Sequence, residues 1–138
     1  MIRKVSYVMR DKNYSPTDSE LEILQVLWEM KEARVKEVHE KLSQHKDVGY
    51  TTVLKLMQIM HEKGLLSREL SGKSHIYRPG IKKEQVQEKF LDKVMQSVYK
   101  GSAFKLVMNA LGNYKTSPDE LEQIKKFIQS KEKEDNHE

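Results

Sequence analysis

Apolar residues recur at helical spacing after Pro16 and predict an amphipathic helix over about residues 18–30. Thr17 and Glu20, three residues apart, have the pattern of a capping box, in which two side chains satisfy backbone amides at a helix start. The inward positions of this first helix are Leu21, Leu24, Leu27 and Trp28. The N-terminal arm, residues 1–15, alternates only weakly, as a short strand or a frayed end would, and stays unassigned.

Two further helices and a hairpin follow at short intervals. Apolar residues at helical spacing predict a short helix over residues 35–42, and a polar break separates it from a third helix over about residues 50–63. The inward positions of the third helix are Val53, Leu56, Met57 and Met60. A two-stranded hairpin turning near residues 71–73 comes next. This order predicts a mainly α fold that begins with a winged helix-turn-helix over residues 16–80, the hairpin being the wing.

The outward face of the third helix carries a hydroxyl, an ammonium and an amide, on Thr51, Lys55 and Gln58. These groups are able to read base edges and hold phosphates in a DNA major groove. We therefore predict that this helix is a recognition helix. One alternative is a face that meets only solvent, as most polar helix faces do. Another is a winged helix that binds only protein, and Glu62 at the end of the row favours that alternative.

The residues from 81 to 130 predict three more helices with wide apolar faces. The first ends near Lys100-Gly101, the second is closed by Gly112, and the third starts at a capping box formed by Ser117 and Glu120. A charged tail from residue 131 is expected to be disordered.

These three helices have too little mass for a stable core of their own, so we predict a helical dimerisation domain and a homodimer. The predicted dimerisation residues are Phe90, Leu91, Val94, Val98, Phe104, Val107, Leu111, Leu121 and Ile124. The alternative is that the helices fold back on the N-terminal domain as one monomeric core.

Composition and charge exclude several classes of protein and favour a DNA-binding one. The chain has no cysteine, which removes disulfides and thiolate chemistry, and no apolar run near the roughly 20 residues of a membrane span. The N-terminus lacks the apolar run of a secretory signal, so we expect a cytoplasmic protein without membrane insertion. Between residues 34 and 80, nine Lys or Arg stand against five acids, which places the positive excess on the predicted DNA-binding segment.

Catalytic and cofactor sites have little support in the sequence. The five histidines are scattered over different elements, without metalloprotease spacing, a glycine-rich phosphate loop or a nucleophile elbow, so we predict neither an enzyme nor a cofactor. His39 and Glu40 near His45 are too loosely placed to predict a metal site. Trp28 and the Met57/Met60 pair could line a small-molecule pocket, but residues at this spacing more often form a core.

Short motifs in both halves of the chain share their order and spacing with a known family. They are Leu21 to Trp28, Val35 to Val38, Tyr50 to Val53, Lys63 to Leu66, Phe90 to Val94, Tyr99 to Gly101 and Leu106 to Asn109. Together they resemble the penicillinase-repressor family of BlaI/MecI-like winged-helix regulators over about residues 17–128.

The resemblance implies a homodimeric repressor that sits on a palindromic DNA operator and blocks transcription of a β-lactam-resistance or related gene. In such relatives a membrane sensor protease signals cleavage of the C-terminal half. By this likeness Asn109 precedes the cut, and Ala110 stands where those relatives carry phenylalanine. Ile59 replaces an arginine that many relatives have on the recognition helix. The cysteine-rich tail of the copper-responsive branch is missing from this sequence.

The predicted DNA-binding residues combine the helix pattern with this resemblance. They are Arg34, Tyr50, Thr51, Thr52, Lys55, Gln58, Arg68, Lys73 and His75. Those on the third helix are predicted to enter the groove or flank its entry, whereas Arg34 and the three wing residues are predicted to bind phosphate. The alternative is an ordinary solvated charge at Arg34 and on the wing, and a core-facing position at Thr52.

Overall fold

The computed structural model describes residues 5–7 and 15–136. The elements in chain order are β1 (Val5–Ser6), α1 (Asp18–Met30), α2 (Val35–Ser43), α3 (Tyr50–Glu62), β2 (Leu66–Ser71), β3 (Ser74–Pro79), α4 (Lys83–Ser97), α5 (Ala103–Asn113) and α6 (Pro118–Asp135). The fold is mainly α, with three helices and a hairpin first and further helices after them, as the sequence predicts. The chain divides into two compact units, Met1–Asp92 and Lys93–Glu138.

The first unit is built around one hydrophobic core. Both predicted side chains of the capping box at α1 make their bonds: Glu20 N donates to Thr17 Oγ1 at 3.2 Å, and Thr17 N donates to Glu20 Oε1 at 2.9 Å. The apolar stripes of α1, α2 and α3 then meet the inner face of the wing. The fully buried core side chains are Ile23, Leu24, Leu27, Val38, Val53, Met57, Met60, Leu65, Leu66 and Tyr77. Leu56, predicted to face inward, is only partly buried.

The sheet has three antiparallel strands in the order β1-β2-β3. β2 and β3 pair from Leu66 with Pro79 to Ser71 with Ser74, so a two-residue turn joins them. Gly72 in that turn has φ of 69°, a left-handed conformation that glycine adopts without steric cost. β1 pairs with β2 on the other edge, so part of the unassigned N-terminal arm is a strand. Residues 1–4 and 8–14 of the arm lie outside the described residues.

The core of the first unit extends past the wing into the start of α4. Ile81 and Val86 are buried in it, and the Trp28 indole donates to the Ile81 carbonyl at 2.9 Å. The domain boundary predicted at residues 80 and 81 therefore lies inside the first compact unit. Tertiary packing of two apolar residues, rather than a change of local pattern, accounts for this difference.

In the second unit the helices match the prediction except near their ends. α4 ends at Ser97, before the predicted Lys100-Gly101, because Lys100 and Gly101 form a left-handed turn with φ of 51° and 84°. α5 continues through Gly112 to Asn113 instead of closing at the glycine. The capping box at Ser117 and the proline at the start of α6 are both present.

The expectation of a disordered tail from Lys131 is wrong for residues 131–135, which continue α6. Lysine and glutamate are good helix formers, and the ion pair between Lys131 and Glu134, 3.7 Å apart, supports the last turns. The charge of this segment therefore lies on a helix surface.

Candidate nucleic-acid interface

The outer face of α3, formed by Thr51, Lys55 and Gln58, is exposed to solvent. In the described part of the chain neither the Lys55 ammonium nor the Gln58 amide has a hydrogen bond or ion pair with another side chain. The N-cap of α3 is Gly49, which offers no side-chain cap to the first backbone amides. Donors at this helix start are therefore available to an anion such as phosphate.

An open groove of about 450 Å³ lies between the start of α2, the outer part of α3 and the wing. Its walls consist of Arg34, Val35, Lys36, Tyr50, Leu54, Gln58, Lys73, Ser74, His75 and Tyr77. Three of these side chains are cationic and none is an acid, so the groove has the charge that a phosphate backbone requires.

The groove gathers five of the nine predicted DNA-binding residues: Arg34, Tyr50, Gln58, Lys73 and His75. The other four do not line it. Thr51, Thr52 and Lys55 are exposed elsewhere on α3, so Thr52 does not face the core. Arg68 is half-buried on β2, where its guanidinium donates to the Tyr77 hydroxyl at 3.4 Å.

The guanidinium of Arg34 is turned to the wing. It donates to the Ser71 carbonyl at 2.9 Å and to the Ser74 hydroxyl at 2.5 Å through one terminal nitrogen, and to the Ser71 hydroxyl at 3.1 Å through the other. The sequence expectation at this position was a phosphate contact or a solvated charge. The observed partners instead join the entrance of α2 to the tip of the wing.

Histidine 75 contributes no full positive charge to the groove at neutral pH. Burial lowers the pKa of His75 below its ordinary value, and the charge of Arg68 and the neighbouring His61 lower it further. The ring is therefore neutral near pH 7 and offers a hydrogen-bond donor and an acceptor. The phosphate contact predicted at His75 would therefore use a neutral imidazole.

Three cations of the basic segment outside the groove form ion pairs. Lys46 pairs with Glu22 at 3.0 Å, Lys63 pairs with Glu20 at 3.4 Å, and Arg78 pairs with Glu32 at 3.4 Å and with Glu69. None of these residues lines the groove. The groove cations Arg34, Lys36 and Lys73 form no ion pair among the described residues, so their charge is not neutralised by a neighbouring acid.

Sequence reasoning missed Lys36 and Leu54 as groove residues. Lys36 was counted in the local charge but not given a role, although its place in the first turn of the helix before the recognition helix was an available signal. Leu54 gave no signal, because an apolar residue on an amphipathic helix is expected to face the core. In the structure it is half-buried and forms part of the groove wall.

Within the described residues, no group of three or more His, Asp or Glu is placed to hold a metal ion. None of the helices described is long and apolar enough to cross a membrane.

Comparison with known proteins identifies the family. The family model described as penicillinase repressor matches residues 16–130, which covers both the winged helix and the C-terminal helices. The chain belongs to the penicillinase repressor family. The BlaI/MecI resemblance and the winged-helix fold predicted from the sequence are thereby confirmed, and the family's members are transcriptional repressors, not enzymes.

Individual members show how far the similarity extends. The chain is 25% identical to the methicillin resistance regulatory protein MecI of Staphylococcus aureus (strain N315), over 89% of this chain and 100% of that protein. It is 24% identical to the penicillinase repressor of Bacillus licheniformis, over 82% of this chain and 88% of the relative. The solution structure of the DNA-binding domain of the repressor BlaI superposes with a TM-score of 0.50 at 25% identity, covering 56% of this chain and 93% of that domain. Because it belongs to this family, the chain is a DNA-binding transcriptional repressor.

Proposed function

We propose that the chain acts as a homodimer that represses transcription by placing two α3 helices in adjacent major grooves of a palindromic operator. The observation that carries this proposal is the acid-free groove between α2, α3 and the wing, beside the exposed outer face of α3. A DNA backbone strand fits such a groove, because its phosphates meet Lys36 and Lys73 while α3 reaches the base edges.

Sequence discrimination falls to the outer face of α3 in this proposal. Lys55 and Gln58 donate to base edges, and Thr51 lies close to the helix start, where backbone amides favour phosphate. The wing and α2 supply contacts that are independent of sequence. The side chain of Ile59 adds no charge here, so the two α3 donors and the groove cations carry most of the affinity.

The second copy is proposed from the second unit. Neither α5 nor α6 has a buried residue among those described, and Phe104 remains 74% exposed, Met108 55% and Phe127 62%. Apolar surface of this kind on a short helical unit is stabilised when a symmetric partner covers it. A two-fold axis would then repeat the α3 surface on half-sites about 34 Å apart.

Relief of repression is proposed to act on this same unit. Asn109 and Ala110 are exposed on α5, so a cut there would divide the apolar face that holds the dimer. The side-chain amide of Asn113 donates to the Asn109 carbonyl at 2.9 Å, and because both residues lie in α5 a protease must first unwind this turn. A purified sensor protease that leaves the chain intact, while it cuts a relative that carries phenylalanine after the asparagine, would remove this step.

DNA binding is tested by titrating the full chain against labelled duplexes from its own promoter region and a scrambled duplex, at two salt concentrations. Lys55→Ala should lose about 1 to 3 kcal/mol on the specific duplex and less on the scrambled one. Lys73→Ala should weaken binding to both duplexes and reduce the salt slope by about one. Lys41→Ala, which removes an exposed cation at the far end of α2, is the matched control. Equal affinity of Lys55→Ala, Lys73→Ala and wild type would remove these two residues from the interface, and a wild type that binds neither duplex would favour a protein-binding winged helix instead.

The homodimer is tested by sedimentation equilibrium of Phe104→Glu beside Lys105→Glu. The Phe104 side chain is exposed in the single chain, so its replacement costs the protomer little, but we expect it to break the dimer. Lys105→Glu places the same charge on the neighbouring exposed position and should leave the dimer intact. A monomeric wild type, or a dimeric Phe104→Glu, would contradict this part of the proposal.

A further inference from the structure

The wing tip is tied to the start of α2 by a single side chain. Arg34 donates to oxygens of both Ser71, the last residue of β2, and Ser74, the first residue of β3. These serines are the pair that closes the two-residue turn carrying Lys73. The bonds span 37 and 40 residues of sequence, so they join the start of α2 to the wing tip.

Arg34 itself is held from both sides. Its backbone amide donates to the Glu37 carboxylate at 3.0 Å, which fixes the first turn of α2. The residue before it, Ala33, exchanges two backbone hydrogen bonds with Tyr77 of β3, at 3.0 and 2.9 Å. The backbone from which the Arg34 side chain extends is therefore held in place by hydrogen bonds. Its planar fork of donors is able to bridge two serines, which the single ammonium of a lysine cannot do with the same geometry.

A two-stranded hairpin is only marginally stable by itself, and its tip is the part furthest from the core. Leu70 beside the turn is 66% exposed, so apolar packing does not hold the tip in place. The Arg34 bonds are thus the contacts that restrict where the turn and its Lys73 lie relative to the groove.

We propose that Arg34 is a positioning residue for DNA binding: it holds the wing turn so that Lys73 faces the phosphate backbone in the groove. This inference rests on the proposed function, and it replaces a direct phosphate contact by Arg34. Arg34 then acts through Lys73, whereas Lys36 in the same groove acts by itself. The two cations are two residues apart in sequence and have different roles.

The first test is a double-mutant cycle on DNA affinity. Arg34→Met should weaken DNA binding about as much as Lys73→Ala. The affinity loss of the double variant should be at least about threefold smaller than the product of the two single losses, because both substitutions remove the same contact, that of Lys73 with phosphate. Arg34→Lys should behave like Arg34→Met, because it keeps the charge but loses the fork. The double variant Ser71→Ala/Ser74→Ala removes two acceptors and should reproduce part of the loss. Lys36→Met with Lys73→Ala is the control cycle, in which the affinity loss of the double variant should equal the product of the two single losses.

The second test needs no DNA. In the free full-length protein, Arg34→Met should speed hydrogen exchange at the amides of Lys73 and Ser74, and core amides such as Leu24 and Met57 should be unchanged. Lys36→Met should leave exchange at the wing turn as it is in wild type.

The outcomes separate the two proposals. Losses that multiply for Arg34→Met and Lys73→Ala, with full rescue by Arg34→Lys, would make Arg34 a phosphate contact and overturn the inference. Unchanged exchange at the wing turn in Arg34→Met would overturn it as well. If wild type bound no DNA while the exchange still rose, the proposed function would fail although the Arg34 tie itself had been demonstrated, and the inference about DNA would fall with it.

Discussion

The junction between the wing and α4 allows a demanding test of the packing argument. Gly80 lies directly after β3, and its amide donates to the Leu65 carbonyl at 2.7 Å. A Cβ atom built on Gly80 would meet the Gly64 carbonyl oxygen at 2.8 Å and the Leu65 carbonyl carbon at 3.0 Å. We therefore expect Gly80→Ala to destabilise the first unit.

The expected magnitude follows from the atoms that would clash. They belong to the backbone of the segment between α3 and β2, so no side-chain rotation relieves the contact and the junction itself must shift. Overpacking of this kind costs about 1 to 3 kcal/mol. With a urea dependence of about 1.5 kcal/mol per molar, the midpoint should fall by about 0.7 to 2 M.

The assay is urea unfolding followed by tryptophan fluorescence. The chain has one tryptophan, Trp28, and its indole donates to the carbonyl of Ile81, the residue after Gly80. Fluorescence therefore reports the unit in which the clash occurs. Gly112→Ala in α5 is the matched control, because a Cβ there meets nothing within 4 Å and should not move this transition. An unchanged midpoint for Gly80→Ala would refute the close packing of this junction.

Two further predictions concern stability. Burial, reinforced by Arg68, lowers the pKa of His61 from its ordinary 6.5 in the folded protein. Just below pH 6.5 the unfolded chain therefore binds more protons than the folded protein, so the contribution of His61 to the free energy of unfolding is fully present above that pH and falls with acidification. The urea midpoint should drop between about pH 7.5 and about pH 5.5. His61→Gln should make this drop smaller. Thr17→Ala removes the hydroxyl that caps α1 and should cost about 0.5 to 2 kcal/mol in the Trp28 transition. Ser117→Ala, the same change at the cap of α6, should leave that transition in place, and the reverse ranking would count against the cap assignment.

Local pattern was sufficient for the elements of the winged helix. The 3.6-residue period of apolar residues, the capping box at Thr17 and the glycine-containing turn each depend on residues within one or two turns of chain. The same logic failed at element ends and beyond the wing. Neither the strand at Val5 nor the helical tail after Lys131 has a strong local signal. Pairing with β2 stabilises the strand, and a sum of weak helix propensities stabilises the tail.

The candidate interface was predictable only in part. The sequence by itself determined that α3 has an outer row of Thr51, Lys55 and Gln58, since helical geometry alone places them on one face. Only the tertiary structure decided which cations lie at the groove and which are paired with acids, because the partners in these ion pairs are 24, 43 and 46 residues apart in sequence. It also decided that Arg34 bonds to the wing, 37 and 40 residues away, a contact that no local pattern encodes.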